Sequence, residues 1–268
     1  MIRLALRVRR ADAEIVLAEL LELAPGGVEE TDEGELVEFA VYGAPGELPA
    51  LPDLRAAAGA AFVDVRSREI PDDWYDGWKQ FHRPIVVGER LRVRPPWEEP
   101  ADAAHLIDIV IDPGQAFGTG GHHTTRLCLE LMLGVEPRGA LADLGCGSGV
   151  LAIAGAELGW APVHAVDHEA PAVAAAQANA AANGVDVQVA RLDLRTAPPP
   201  RAATVVANLL APLLLGLADS LLELPETLIV GGLLLAEADP IAAAFTERGM
   251  VERDRRTGGD WAALTLSS

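Results

Sequence analysis

From the N-terminus, apolar and charged residues alternate. Ile2, Leu4, Leu6 and Val8 face one way and Arg3, Arg7 and Arg9 the other, the period-two signature of a half-buried strand. The period then lengthens: Ile15, Val16, Leu20 and Leu23 fall on one helical face, with Asp12 placed to cap the helix and Pro25-Gly26-Gly27 to stop it. Strands over 28–31 and 36–42 flank Asp32-Glu33-Gly34, a hairpin signal. A helix over 51–59 and a strand over 61–66 complete the order βαββαβ, which predicts a ferredoxin-like α+β domain spanning 1–69. Its sheet would bury one face under two helices and leave the arginines of the first strand on the other. They serve there either as solvated surface or as a docking face for another macromolecule.

Residues 70–100 read as a linker. Pro71-Asp72-Asp73 opens a hinge helix whose Trp74, Trp78 and Phe81 form one aromatic stripe, read as packing against a neighbour. Two short strands, 85–87 and 91–93, precede the punctuation Pro95-Pro96-Trp97-Glu98-Glu99-Pro100. From 101 to 268 strands and helices alternate, the pattern of a doubly wound, Rossmann-like parallel sheet in an α/β domain. Strands are expected at 105–111, 141–144, 163–167, 185–189, 204–208 and 227–236, with Trp261–Leu266 as a closing edge strand. Helices are expected at 124–133, 170–183, from Pro212 to about 222, and from Pro240 to 248.

Three stretches carry candidate chemistry. Leu141-Ala142-Asp143-Leu144-Gly145-Cys146-Gly147-Ser148-Gly149-Val150 is an apolar strand, a glycine turn and the start of an alanine-rich helix. Such a turn lets backbone approach a ligand, and the helix start offers N–H groups to it. The next strand ends in Asp167, an acid placed to take two ribose hydroxyls. Because Gly147-Ser148-Gly149-Val150-Leu151-Ala152 also fits G-x-G-x-x-A, a nicotinamide dinucleotide stays open as the ligand. The block 112–125 is rich in glycine, with Phe117 as an apolar wall, His122 as a proton relay or a loop brace, and Thr124 and Thr125 at a helix start. Asn208 ends the fourth strand of the series, across the crevice from the glycine turn, where its amide can orient an attacking amine.

At 268 residues, half of them hydrophobic, the chain supports a substantial core. The formal net charge of −19 repels free nucleic acid and favours basic partners, or serves solubility alone. Cys128 and Cys146 form no C-x-x-C pair, which argues against a zinc site or a disulfide framework. No signal-peptide pattern opens the chain, and the oily run around Leu209–Ala218 is too short to span a bilayer. A cytoplasmic location is therefore expected.

Asp143-Leu144-Gly145-Cys146-Gly147-Ser148-Gly149 resembles the first motif of class I S-adenosylmethionine-dependent methyltransferases. Asp112 to Thr125, read as D-P-G-x-A-F-G-T-G-x-H-x-T-T, is similar to the signature of one family in that class, the ribosomal protein L-eleven methyltransferases. Asn208-Leu209-Leu210-Ala211, Asp73-Trp74 with Trp78, and Gly88-Glu89-Arg90-Leu91 also match that family. The resemblance implies an N-terminal ferredoxin-like domain that holds the substrate. It implies S-adenosyl-L-methionine as cofactor, contacted by Thr125, Gly145, Gly147, Asp167 and Asn208, with Asn208 also aligning the acceptor amine and no metal. The implied substrate is the basic ribosomal protein L-eleven, methylated on lysine side chains, the N-terminal α-amine or both, by a monomer without nucleic-acid specificity. Two readings compete: an NAD-linked dehydrogenase, and a non-enzymatic scaffold docking the ribosomal protein through 1–69.

Overall fold

In the computed structural model the described residues are 2–13, 16–17, 20, 28–32, 34–43, 48–49, 51–69, 83–100, 103, 105–112 and 123–268. The predicted hinge helix, with Trp74, Trp78 and Phe81, lies outside them, as do Phe117 and His122. The chain divides into two compact units, within 1–81 and 82–268.

The first unit holds β1 (Ile2–Arg9), β2 (Glu29–Asp32), β3 (Leu36–Gly43), α1 (Leu51–Ala58) and β4 (Phe62–Glu69). Their sheet has the order β2-β3-β1-β4, antiparallel throughout. Alternation decides the faces: Leu4, Leu6, Val8, Val37, Phe39 and Val41 enter a core with Val16, Leu20 and Leu54. Residues 13, 16, 17 and 20 are helical. Asp12, expected as that helix's cap, ends a 3-10 turn, Arg10–Asp12, whose own N-cap, Arg9, makes no side-chain cap. Backbone does the work there, for Glu35 C=O takes the Arg10 N–H at 3.1 Å. Across the sheet from the core, Arg3 Nη2 donates to Glu38 Oε1 at 2.6 Å and Arg7 Nε to Asp64 Oδ1 at 2.7 Å. The Arg7 guanidinium holds the Asp64 carboxyl below its ordinary range.

The second unit begins with a three-stranded sheet of β5 (Ile85–Val87), β6 (Leu91–Arg94) and β7 (Ile107–Val110). β6 runs parallel to β7, so strands on either side of the proline-rich punctuation share one sheet. Arg94 explains how that punctuation folds back: Nε donates to Asp108 Oδ2 and Nη1 to the Glu98 carbonyl, both at 2.6 Å.

The large sheet contains β8 (Leu141–Leu144), β9 (Val163–Asp167), β10 (Val187–Arg191), β11 (Thr204–Asn208), β12 (Thr227–Leu234), β13 (Val251–Gly258) and β14 (Trp261–Ser267). Their order is β10-β9-β8-β11-β12-β14-β13. The helices are α2 (His123–Met132), α3 (Val150–Leu158), α4 (Ala170–Asn183), α5 (Ala211–Ser220) and α6 (Leu235–Thr246). Both faces are apolar, as strands buried between helix layers require. Leu141, Val206 and Ile229 pack with Leu129 and Ile153 on one side. Ala142, Val205 and Val230 pack with Leu217 and Phe245 on the other. The winding direction reverses between β8 and β11, which opens a crevice at their carboxyl ends.

Three expectations are corrected. The sheet is mixed, because β14 runs antiparallel to β12. Trp261–Ser267 is not the edge: β13 pairs outside it. β13 carries Glu252, Arg253, Asp254, Arg255 and Arg256, so it shows no apolar alternation, and such charge suits an exposed edge. Finally, α6 starts at Leu235 rather than at Pro240, which lies within it. Glu237 Oε2 accepts the Leu234 N–H at 2.8 Å and caps the helix there. Among the described residues no helix is long and apolar enough to cross a membrane.

The packing predicts a contrast measurable by urea denaturation. Phe245→Ala removes a fully buried ring and should cost ~3–5 kcal/mol. Leu222, 83% exposed, should tolerate alanine within ~0.5 kcal/mol.

Candidate active site

The glycine turn between β8 and α3 is built by commitment of its amides to the end of β9. Gly145 and Cys146 N–H both donate to the Val166 carbonyl, at 2.8 and 3.0 Å. The Gly147 N–H donates to Asp167 Oδ2 at 3.0 Å, while Asp167 Oδ1 accepts the Glu169 N–H, also at 3.0 Å. The Gly149 N–H returns to the Cys146 carbonyl at 2.8 Å. These four turn amides are engaged within the protein, and at the helix start the Ala152 N–H goes to Asp143 Oδ2 at 3.1 Å. The turn's value to a ligand is its shape.

Glycine suits position 145 by its backbone conformation, and Leu209 packs into the space a side chain would take. The Gly145 φ is +72°, and a Cβ would lie 2.3 Å from Leu209 Cδ2. Gly149, at φ +82°, caps α3 in the left-handed region, where a Cβ would come within 3.0 Å of Ala176.

Asn208 ends β11 on the same sheet face as Val206, the face that α2 covers. Its Nδ2 donates to Thr125 Oγ1 over 3.4 Å, and Oδ1 takes no bond from a described residue. Thr125, 1% exposed, is thereby tied to the carboxyl edge of the sheet. Thr125, Gly145, Gly147, Asp167 and Asn208, all five residues singled out in the sequence, line one cavity of about 220 Å³. Leu151, His168, Glu169, Leu209 and Leu213 also line it. Its acidic groups are Asp167 and Glu169, and no lysine or arginine is among its described lining residues. That donor set suits a cationic, sugar-bearing ligand, for the Asp167 oxygens keep lone pairs for hydroxyls.

Two functional features escaped the sequence reading. In the sequence Asp143 stands out only as part of a motif, yet it is a buried carboxyl in the wall behind the turn. Its Oδ2 accepts the Ala152 N–H at 3.1 Å, and its Oδ1 has no partner among the described residues. Burial pushes its pKa up to about 7, with the nearby Asp167 charge adding and the Ala152 N–H opposing. An acid inside the apolar run Leu141–Leu144 is the signal that could have found it. The second is a side-chain stitch on α4. Asn179 Oδ1 accepts the Asp112 N–H at 3.0 Å and Nδ2 donates to the Ser148 carbonyl at 2.9 Å. Asn183 brackets Val110, accepting its N–H at 2.8 Å and donating to its carbonyl at 2.7 Å. Together they join the chain entering the 112–125 block to the glycine turn. Among the described residues no cluster of His, Cys, Asp or Glu could hold a metal ion.

A mixed sheet reversing beside β8, a glycine turn at its carboxyl edge and an acid ending the next strand make a Rossmann-like α/β unit with a nucleotide-type cleft. A family model described as Ribosomal protein L11 methyltransferase (PrmA) matches residues 56–268. The Ribosomal protein L11 methyltransferase of Heliobacterium modesticaldum is 41% identical over 199 residues, covering 72% of this chain and 63% of that protein. The protein of the same name from Synechococcus elongatus is 38% identical over 205 residues, covering 72% and 68%. The crystal structure of ribosomal protein L11 methylase from Lactobacillus delbrueckii subsp. bulgaricus superposes with TM-score 0.62 at 31% identity, over 70% of this chain and 98% of that one. The chain belongs to the ribosomal protein L11 methyltransferase family, whose members are S-adenosylmethionine-dependent methyltransferases.

The raised Asp143 pKa has a testable sign. Between its ordinary value of 3.8 and about 7 the folded protein keeps a proton that the unfolded chain has released. The neutral acid's contribution is therefore full below the lower value and lost as pH rises through the upper one. Urea midpoints at pH 5, 6, 7 and 8 should fall for the wild type relative to Asp143→Asn across that window. A difference constant with pH contradicts the assignment.

Proposed function

We propose that this chain is an S-adenosyl-L-methionine-dependent protein N-methyltransferase acting on amino groups of ribosomal protein L11, on lysine side chains, the N-terminal α-amine or both. The observation that carries the reading is the convergence of Thr125, Gly145, Gly147, Asp167 and Asn208 on one acid-lined cavity. When bound, the cofactor supplies a methyl group on a sulfonium, already a strong electrophile. Asp167 takes its ribose hydroxyls through lone pairs not used by Gly147 and Glu169. Gly145 and Gly147 let it approach the backbone, and Thr125 steadies the Asn208 amide over 3.4 Å.

Asn208 is the catalytic residue of this reading. Its Oδ1 would accept a hydrogen bond from the incoming amine and orient the nitrogen lone pair into the cavity, where the bound cofactor would supply its methyl group, and such positioning can supply a large share of the acceleration. The amine must arrive neutral. An α-amine has a pKa near 8 and a lysine near 10.4, and the apolar wall of Leu209 and Leu213 favours the uncharged form. No base is required, because water can carry the proton away.

The unit within 1–81 is proposed as the ferredoxin-like substrate-recognition domain, with residues 1–69 as its body. Its antiparallel order β2-β3-β1-β4 supports that reading. A chain of net charge −19 suits a basic protein as substrate, and a ribosomal protein places the reaction in the cytoplasm. A dinucleotide is the poorer ligand, because the Asp167 carboxylate holds an amide of the glycine turn that a pyrophosphate would need.

Thermal denaturation tests the ligand. S-adenosylhomocysteine should raise Tm and NAD should leave it unchanged. Mass spectrometry of ribosomal protein L11 incubated with enzyme and S-adenosylmethionine should then find methylated amines. Asn208→Ala should lose about 100-fold in kcat while binding S-adenosylhomocysteine within a few-fold of wild type. Full activity in that variant would leave a scaffold or a different mechanism.

A further inference from the structure

The residues that follow Asn208 form an apolar path leading outward from the cavity. Leu209 lies over Gly145, filling the space a Cβ would need there. Leu210 is next, at the N-cap of α5 with extended backbone, and is 69% exposed. Leu213, one helical turn on and 36% exposed, lines the cavity. Positions i and i+3 share a helix face, whereas Leu214 and Leu217 of the same helix are buried in the core. The path therefore starts at a residue inside the cavity and ends at a leucine in solvent.

Isolated exposed leucines are ordinary on protein surfaces. Leu222, 83% exposed, is one, lying before β12 at the amino edge of the sheet. Leu210 differs in its place, two residues from Asn208 and between Leu209 and Leu213 in the chain, both of which line the cavity. The occupant that fits must satisfy two conditions at once. The cavity's carboxylates, Asp167 and Glu169, with no lysine or arginine lining it among the described residues, and the net charge of −19 select a basic partner. The leucines select an apolar stem, and they help strip water from an ammonium before it reaches Asn208.

Building on the methyltransferase reading, we propose that Leu210 is a specificity-determining contact for the protein substrate. The methylenes of the amine-bearing residue lie against Leu210 while its nitrogen reaches Asn208. Leu210 thus sets the affinity for the acceptor and leaves cofactor binding alone. Truncation to a small polar side chain removes most of one leucine's apolar contact, worth about tenfold in acceptor affinity.

The test uses the full chain with ribosomal protein L11 as acceptor. KM and kcat are measured for wild type, Leu210→Ser, Leu210→Met and Leu222→Ser, with the Kd for S-adenosylhomocysteine measured for each by titration. Leu210→Ser should raise the acceptor KM about tenfold, with kcat and the S-adenosylhomocysteine Kd within twofold. Leu210→Met should restore KM, and Leu222→Ser should match wild type. An unchanged KM in Leu210→Ser, or an equal rise in Leu222→Ser, overturns the proposal while leaving the methyltransferase reading intact. Wild-type enzyme that binds S-adenosylhomocysteine but neither binds nor methylates the acceptor overturns both.

Discussion

The site depends on one carboxylate that does two things. Asp167 ends β9 and takes the N–H of Gly147 on one oxygen and that of Glu169 on the other, each at 3.0 Å. The first bond fixes the glycine turn against the neighbouring strand, and the second starts the connection into α4. Because Asp167 is only 8% exposed, these charge-assisted bonds are weakly screened and hold the carboxylate in a single orientation. The turn is thus rigid before any ligand arrives, and preorganisation of this kind lowers the cost of binding.

From that anchor the rest of the cavity follows by strand order. β8 and β11 are neighbours whose connections leave in opposite directions, so the glycine turn and Asn208 face each other across the crevice. α2 covers the same face and delivers Thr125 to Asn208. α4 closes the arrangement from behind, since Asn179 binds both the Ser148 carbonyl and the Asp112 amide. The chemistry proposed for it is mainly positional. A methyl group on a positive sulfur needs a neutral nucleophile held in line, and the cavity offers carboxylates, an amide and apolar walls.

What the sequence made legible was local. The glycine turn announces itself because strand, turn and helix are contiguous, and Asp167 and Asn208 because each closes an apolar run at a sheet edge. β13 was missed because an edge strand draws its order from pairing with β14, so its own charges carry no period. Pro240 misled because a proline reads as a helix start, whereas Glu237 had already capped α6 a turn earlier. Asp143 and Asn179 were invisible for another reason: their importance lies in burial and in partners far along the chain. Asn179, within an alanine-rich helix, gives no hint of bonds to residues 31 and 67 positions away.

The central claim is that the Asp167-anchored turn and Asn208 form the two ends of one cofactor site. A crystal structure of the protein with S-adenosylhomocysteine tests it most directly. The account predicts both ribose hydroxyls within hydrogen-bond distance of the Asp167 carboxylate and the sulfur turned toward Asn208. Density for the compound away from residues 145–149, with the Asp167 oxygens touching no part of it, would contradict the account.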